Sequence, residues 1–344
     1  MCTGIGRLND DAGVFLSRRT APCDIMVTGG EKMTTIRDVA RISGYSVSTV
    51  SRVLNHKNYV SEEVRTQIQR VIDDLDYVPN DVARDLSRGK TMTIGVVLLN
   101  LPHPYYTDLS AGIMGAAFSA GYNVVMLQSK YNDVQERGYL EQLRRKAFDG
   151  LIFTTHNIPL SEMLPYRKYG SVVVCHDPGN IAIDAAFSDR GPSYIQAFNW
   201  IKRHHYRNIA LLLPRDPALS ATSAETTAAY KQVFGTAPSG RLLRLGSMTY
   251  ADGYAAAEYY VTNGLNPDFV FANGDDIATG VAQYYRDHLL PIPGLMGQDR
   301  QLSGQLLGFP TINHHYKDVG ATALRLAIGA AHGQHGLHSD FLTR

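Results

Sequence analysis

The chain has 344 residues, of which 44% are hydrophobic, and a formal net charge of +1, so it can form a full hydrophobic core and more than one domain. This balance excludes a globally basic or acidic protein, and any contact with nucleic acid or a membrane surface must come from a local concentration of charge. No apolar run approaches the roughly 20 residues of a membrane span, and residues 1–32 do not read as a secretory signal. Cys2, Cys23 and Cys175 have neither metal nor CxxC spacing, which favours the reducing cytoplasm.

Residues 1–32 form an irregular N-terminal extension with little hydrophobic periodicity. The sequence GGEK stands directly before Met33. Gly-Glu-Lys-Met can be encoded as a ribosome-binding sequence followed by a start codon. This arrangement favours Met33 as the natural start, with the extension outside the native protein.

Residues 33–78 predict a small domain of three helices. Thr35 with Asp38 makes a capping-box start for the first helix, Gly44 ends it, and Ser46 is a natural N-cap for the second. Apolar residues at helical spacing are Ile36, Val39 and Ala40, then Val50 and Val53 or Leu54, then Val64, Ile68, Val71, Ile72 and Leu75. The first two helices have the spacing of a helix-turn-helix, although an ordinary helical hairpin has the same spacing.

The charge of this domain is divided between its helices. Residues 33–60 carry more basic than acidic side chains, namely Arg37, Arg41, Arg52 and Lys57 against Asp38. Residues 61–78 show the reverse, namely Arg65 and Arg70 against Glu62, Glu63, Asp73, Asp74 and Asp76. A domain with one basic side faces a phosphate backbone with that side alone, so the charge favours DNA binding over a plain hairpin.

The start of the second helix carries hydroxyl side chains that suit phosphate and base-edge contacts, at Ser46, Ser48, Thr49 and Ser51. Arg52 follows them and suits a guanine. Residues 79–90, PNDVARDLSRGK, then predict a short helix that Asn80 can cap and Gly89 can end. Because nucleating a helix is costly, we expect this segment to fold only when something holds it.

Residues 91–344 alternate apolar strands with amphipathic helices. The predicted strands are TIGVVLL, YNVVMLQ, GLIFTT, SVVVC, NIALLL, RLLRL and DFVFA, with helices such as 107–120 and 191–204 between them. This alternation predicts an α/β fold with parallel sheets covered on both faces. The number of strands favours two doubly wound subdomains, with a ligand cleft between them at the carboxyl ends of the strands.

The motifs TIRDVARISGYSVSTVSRVLN and YVPNDVARDLSRGKTMTIGVV resemble the opening signature and the hinge of the LacI/GalR family of bacterial transcription repressors. The resemblance extends from about Met33 to the C-terminus and is most specific at the front. It implies a helix-turn-helix domain, a hinge helix and a two-lobed core like that of periplasmic binding proteins. Two-fold symmetry is expected, since one short recognition helix gives too little contact with a palindromic operator. The absence of a heptad tail after the core favours a homodimer over a tetramer.

The same resemblance implies which residues contact operator DNA. The implied base contacts are Val47, Ser48 and Arg52; the implied phosphate contacts are Thr35, Ser46, Thr49, Ser51, Asn55 and Tyr59; the implied hinge contacts are Asn80, Ala83 and Leu86. Leu86 is expected to wedge into the minor groove, where an apolar side chain can unstack a base step. Tyr45 departs from the small aliphatic residue usual in the family, so we expect the turn to pack differently.

Tyr105 and Tyr106 follow the first predicted strand of the core and suit a hydrophobic core as well as a ligand platform. The resemblance favours a cleft for a sugar or sugar derivative, and the implied effector contacts are Tyr105, Tyr106, Asp189, Arg190, Thr226, Asp275, Asp299, His314 and Tyr316. Thr226 stands where the family usually has an arginine that holds the effector. We expect Arg190 or Arg300 to supply the missing donor.

Two other classes of protein have weaker support. A sugar-binding protein of the periplasmic type has the same core but no counterpart of residues 33–90, and it requires an export signal. An enzyme requires a catalytic constellation, and the sequence has no GxSxG or GxGxxG motif. The histidines of HH pairs and of HGQHGLH lack the spacing of a metal hydrolase, so neither a metal nor a cofactor is expected. The best-supported hypothesis is a cytoplasmic, ligand-responsive repressor of carbohydrate-utilisation genes.

Overall fold

A computed structural model of the chain describes residues 34–56, 59–79, 89–99 and 103–343. These residues fall into two compact units, the first ending and the second beginning within the hinge segment. The predicted N-terminal extension and most of the predicted hinge helix lie outside the described residues. Within the described ranges, no helix is long and apolar enough to cross a membrane.

Three helices form the first unit: α1 (Ile36–Ser43), α2 (Val47–Leu54) and α3 (Glu62–Asp74). The start of α1 is the predicted capping box, because Thr35 and Asp38 each accept a hydrogen bond from the other's backbone N–H. Gly44 ends α1 with a φ of 76°, a left-handed conformation that glycine adopts without strain. The side chain of Ser46 caps α2, as the sequence predicts.

The core of the first unit is small and apolar. Its buried residues are Val39, Ala40, Val50, Val53, Ile68 and Ile72, all at predicted core positions. Tyr45, the residue that departs from the family pattern, packs against this core, and its hydroxyl donates a hydrogen bond to Gln67 of α3. The turn between α1 and α2 is therefore tied directly to the third helix.

The second unit is built from short parallel strands and longer helices. Its strands are β1 (Thr93–Leu98), β2 (Asn123–Gln128), β3 (Gly150–Phe153), β4 (Ser171–Val174), β5 (Asp184–Asp189), β6 (Ile209–Leu212), β7 (Leu243–Arg244), β8 (Phe269–Ala272), β9 (Gly294–Met296), β10 (Thr311–Asn313), β11 (Gln334–His338) and β12 (Asp340–Leu342). Its helices are α4 (Pro104–Ala120), α5 (Asp133–Arg144), α6 (Leu160–Met163), α7 (Gly191–Arg203), α8 (Ala221–Phe234), α9 (Tyr250–Thr262), α10 (Asp275–Asp287), α11 (Leu302–Leu307) and α12 (Tyr316–Ala327).

Two parallel sheets divide this unit into lobes. The N-terminal lobe contains the sheet β11-β5-β4-β3-β1-β2, with α4 and α12 packed together on one face and α5 on the other. The C-terminal lobe contains the sheet β7-β6-β8-β9, with α9 and α10 on one face and α7 and α8 on the other. The strands β1, β3, β6 and β8 are almost entirely buried. The predicted α/β architecture of two doubly wound lobes is thus confirmed.

The chain passes between the lobes at three points, after β5, after β10 and after β11. Near these crossings β10 and β12 pair as a short antiparallel ladder, in which Ile312 faces Phe341. Some strands have no predicted counterpart: β5 and β11 carry polar or exposed residues, and β10 and β12 have three residues each. They lack the continuous apolar run by which the other strands are recognised.

Candidate functional site

The outer side of α2 carries the residues predicted to read bases. Val47, Ser48 and Arg52 are exposed, whereas Val50 and Val53 face the core. Val47 is 42% exposed although its side chain is apolar, and Tyr59 is 89% exposed. A helix that exposes an apolar side chain at its first residue and a basic side chain in its last turn has the features of a recognition helix.

The hydroxyl side chains of this unit hold its backbone in place. The hydroxyl of Thr35 donates to the carboxylate of Asp38 over 2.7 Å, and the hydroxyls of Ser46 and Thr49 lie 2.9 Å apart. The side-chain amide of Asn55 donates to the carbonyl of Ser51 over 2.7 Å. These predicted phosphate contacts therefore also cap helices, and a phosphate contact would add to that structural role.

Arg52 has no carboxylate partner among the described residues, in contrast to Arg41, whose guanidinium lies 3.4 Å from a carboxylate oxygen of Asp38. An unpaired guanidinium on an exposed helix face is available to an external anion or base. The predicted hinge contacts Asn80, Ala83 and Leu86 lie outside the described residues.

A cavity of about 530 Å³ lies between the lobes of the second unit. Of the predicted effector contacts, those that line it are Tyr105, Tyr106, Arg190, Asp299 and Tyr316. The cavity borders the carboxyl ends of strands in both sheets, where helices α4, α7, α8 and α12 begin. A volume of this size accommodates a small ligand.

Tyrosines form one wall of the cavity. The rings of Tyr105 and Tyr316 meet edge to face with their centres 4.8 Å apart, and Tyr105 and Tyr106 do the same over 4.8 Å. The hydroxyl of Tyr105 donates to the carbonyl of Thr154 over 2.9 Å, which fixes its ring. Because these rings are held by each other and by the backbone, the wall is rigid and suits stacking against a ring of a ligand.

Arg190 stands where β5 passes into α7, and only 6% of it is exposed. One terminal nitrogen donates to the carbonyl of Ser188 over 3.4 Å, but the buried Nε has no hydrogen-bond partner among the described residues. Burial by itself lowers the pKa of Arg190, but Tyr316, Tyr194 and Glu225 around it raise the pKa above its ordinary value overall. The guanidinium is therefore a permanent cation in the cavity wall.

Asp299 follows β9 with a φ of 81°. Its backbone N–H donates to the carbonyl of Ile312 over 2.8 Å, which anchors this strained position. Burial and then the nearby carboxylate of Asp275 raise the pKa of Asp299 to about 8, against a lowering contribution from a hydrogen bond with Tyr316. Near neutral pH this carboxyl is therefore largely protonated and can donate a hydrogen bond as well as accept one.

The remaining predicted effector contacts do not line the cavity, and their side chains have structural partners. Asp275 is fully buried, accepting hydrogen bonds from the hydroxyl of Thr311 and from the backbone N–H of Gln301, both over 2.7 Å. It thus ties the loop after β9 to the start of α10. His314 lies between Gln298 and Ser339, at 2.8 and 3.0 Å.

Thr226 is also fully buried, and its hydroxyl donates to the carbonyl of Thr222 within α8 over 2.8 Å. The place where the family usually has an arginine therefore offers no donor to the cavity. Of the two arginines expected to replace it, Arg190 lines the cavity and Arg300 is exposed outside it. Asp189 is engaged by His338, whose Nδ1 lies 2.9 Å from the carboxylate.

Several lining residues were not predicted. His156 and His176 follow β3 and β4 and face each other with their Nε2 atoms 2.6 Å apart. Burial, and then the neighbouring His176, lower the pKa of His156 to about 4. Arg215 follows β6, and its guanidinium lies 4.2 Å from the centre of the Tyr131 ring. All four are polar or aromatic residues shortly after predicted strands, a signal that could have identified them.

Comparisons with known proteins agree with this architecture. A family model described as bacterial regulatory proteins of the lacI family matches residues 35–80, and one described as periplasmic binding proteins and sugar binding domain of the LacI family matches residues 91–290. The ribose operon repressor of Escherichia coli (strain K12) is 28% identical over 271 residues, covering 76% of this chain and 80% of that protein.

Catabolite control protein B of Bacillus subtilis (strain 168) is 38% identical over 296 residues, covering 86% of this chain and 94% of that protein. The solved structure of the Lac repressor dimer bound to operator and the anti-inducer ONPF superposes with a TM-score of 0.76 at 20% identity, covering 91% of this chain and 98% of that one. The predicted fold class is confirmed, with a helix-turn-helix domain ahead of a two-lobed core. The chain belongs to the LacI family of bacterial regulatory proteins.

Proposed function

We propose that the chain is a cytoplasmic, ligand-responsive repressor that binds palindromic operator DNA as a homodimer and controls carbohydrate-utilisation genes. The observation that carries this proposal is the combination, in one chain, of an exposed recognition face on α2 and a cavity between two lobes. The names of similar proteins support the class of gene, since one of them represses a ribose operon. The family model that matches residues 35–80 is described as one of regulatory proteins, and the proposal includes no catalytic step.

The proposed division of labour follows the predicted boundaries. Residues 33–78 bind DNA, residues 79–90 form the hinge, and residues 91–344 bind the effector and the second subunit. The proposed base contacts are Val47, Ser48 and Arg52; the proposed phosphate contacts are Thr35, Ser46, Thr49, Ser51, Asn55 and Tyr59; the proposed hinge contacts are Asn80, Ala83 and Leu86. Two subunits are needed because one short helix reads only one half-site.

The effector acts by favouring one arrangement of the two lobes. A ligand can shift this equilibrium only by the difference in its affinity for the two arrangements. The cavity suits this task, because the C-terminal lobe contributes Arg215 and Asp299 and the N-terminal lobe contributes Tyr105 and Tyr316. The same ligand therefore contacts both lobes at once, and its affinity depends on how they are arranged.

The test begins with selection of duplexes from a random pool by the full chain. We expect an enriched sequence with two-fold symmetry, bound by two subunits, with an affinity that falls as the salt concentration rises. A chain lacking residues 33–90 should lose this binding and keep ligand binding in the core. Enrichment of no sequence, or binding that survives this deletion, would contradict the proposal and favour a sugar-binding protein without a role in transcription.

A further inference from the structure

We infer that the ligand of the cavity is an anionic sugar, carrying a phosphate or a carboxylate group, which Arg190 and Arg215 hold from two sides. This inference rests on the proposed function, because it names the chemical class of the proposed effector. The cavity volume of about 530 Å³ is suited to a molecule of monosaccharide or disaccharide size with one such group.

The first support is the incomplete hydrogen bonding of Arg190. Its Nε is buried without a partner in the described part of the chain, and a buried donor left in this way is costly. The carboxylate that acts most strongly on Arg190 is that of Glu225, which does not line the cavity. On the cavity side the guanidinium donates a hydrogen bond to the hydroxyl of Tyr316, and no carboxylate of the described residues forms an ion pair with it. A planar carboxylate or phosphate edge is the group that a guanidinium binds best.

Arg215 supplies a second cation from the other side of the cleft. It follows β6 in the C-terminal lobe, and its guanidinium packs over the ring of Tyr131, which follows β2 in the N-terminal lobe. No ion pair of the described residues includes Arg215. Packing on an aromatic ring occupies the face of a guanidinium and leaves the N–H groups at its edge available. Arg215 is therefore held in place and still able to donate to a ligand.

The helices around the cavity add to this positive potential. Helix α8 has 14 residues, and its cap Ser220 and its first residues Ala221 and Thr222 line the cavity. Helix α12 begins at the lining residue Tyr316, and Arg190 is the N-cap of α7. Because helix N-termini carry a partial positive charge, three helices and two arginines act on the same space.

Negative charge in the cavity wall is scarce. Asp299 is the only carboxylate among the lining residues that the structure describes. Its pKa is raised to about 8, first by burial and then by Asp275, so the group is largely uncharged near neutral pH. A site for a neutral sugar typically uses ionised carboxylates to accept hydrogen bonds from vicinal hydroxyls. Here the balance favours a ligand that brings its own negative charge.

The experiment is calorimetric titration of the full chain with three probes: glucose, glucose 6-phosphate and glucuronate. We expect glucose 6-phosphate or glucuronate to bind at least about tenfold more tightly than glucose, because a charged hydrogen bond is stronger than a neutral one. The probe that binds more tightly identifies phosphate or carboxylate as the group. Glucose binding as tightly as both anions, or no binding of either anion at millimolar concentration, would overturn the inference.

Variants then locate the anion. Arg215→Gln should weaken binding of the preferred anion about tenfold or more and change glucose binding little, whereas Arg300→Gln, an exposed arginine of the same lobe, should match the parent. Arg190→Gln should act like Arg215→Gln, with Arg190→Lys retaining part of the affinity. Because Arg190 is buried, thermal melts must show that its variants are folded. If the Arg190 variants unfold, Arg215→Gln alone decides the test, since Arg215 is only half-buried. Anion affinity unchanged in Arg215→Gln would also overturn the inference.

Failure of this inference is distinguishable from failure of the proposed function. The same variants are tested for binding to the duplex selected from the random pool, without any effector. Operator binding by the parent together with a response to glucose alone would reject an anionic ligand and leave the repressor intact. If the parent chain selects no duplex from the random pool, the proposed repressor function itself is rejected.

Discussion

Nε2 of His156 lies 2.6 Å from Nε2 of His176 in the wall of the ligand cavity. The Nδ1 atoms of the two rings lie 2.8 Å from the carbonyl of Ile158 and 2.9 Å from that of Asp177. Because a carbonyl only accepts, each Nδ1 carries a hydrogen, and in two neutral rings both Nε2 lone pairs face each other. One proton between them would make a hydrogen bond, while burial favours the neutral form by lowering the pKa of both histidines.

The first prediction concerns how this histidine pair makes the stability of the folded chain depend on pH. The pKa of His156 falls to about 4 in the folded chain, so between that pH and about 6.5 the unfolded chain binds more protons than the folded chain. The free energy of unfolding should therefore decrease as pH falls through this window. His156→Gln should remove part of this dependence in urea unfolding, whereas the exposed His335→Gln should not. Identical slopes for His156→Gln and the parent would reject this account.

The hydrogen-bonded caps and the buried strands could be predicted from sequence because their causes are local. The side chain of Ser46 caps α2 by accepting a hydrogen bond from the backbone N–H of Thr49, three residues later, and β1 and β3 are continuous apolar runs. β11, with the sequence QHGLH, was missed because it is a mostly exposed edge strand whose pairing with β5 joins segments far apart in the chain. No local pattern indicates such a pairing.

The candidate site was predicted only in part for the same physical reason. Asp299 and Asp275 both stand at strand ends. The carboxylate of Asp275, however, is buried and accepts a hydrogen bond from the hydroxyl of Thr311, 36 residues further along the chain. His156 and His176 became neighbours because β3 and β4 are adjacent and parallel. Strand order is a property of the whole sheet, so the direction of a strand-end side chain cannot be deduced from its own segment.

The second prediction tests the turn of the DNA-binding unit. Tyr45→Phe removes the hydrogen bond to Gln67 and should lower the stability of the three helices by about 0.5 to 1 kcal/mol, because the bond is exposed to solvent. Tyr45→Ala also removes the ring from the core and should cost about 1 to 3 kcal/mol. Amide hydrogen exchange in α3 of the full chain measures both losses. Equal exchange rates in the parent and Tyr45→Ala would show that the ring does not support α3.

The third prediction concerns base recognition. Arg52→Ala should weaken binding to the selected operator by about 1 to 3 kcal/mol and relax the preference at one base pair. Thr49→Ala should weaken binding to operator and random duplexes more evenly, since a phosphate contact carries no sequence information. Arg70→Ala, an exposed arginine on α3, serves as the control. Equal losses for Arg52→Ala on operator and random DNA would contradict a base contact.

The last prediction separates two roles of Asp299. With its pKa raised to about 8, the folded chain binds this proton more tightly than the unfolded chain between about pH 4 and pH 8. The stability of the parent should therefore fall as pH rises through this window, and Asp299→Asn, which carries no charge at any pH, should abolish that part of the decline. Thermal melts across the window measure it.

Asp299→Ala removes the hydrogen bonds of the side chain as well as its titratable proton. If Asp299 contacts the effector, the variant should lose the effector response and keep the operator affinity of the parent, because a ligand that does not bind shifts no equilibrium. If the carboxyl only supports the turn after β9, the melting temperature should fall and effector affinity should stay unchanged. Titration of the preferred probe decides between these roles. Alanine tolerates a φ of 81° less well than aspartate or asparagine, so the melting temperature of Asp299→Ala should fall in either case and effector affinity is the measurement that separates them.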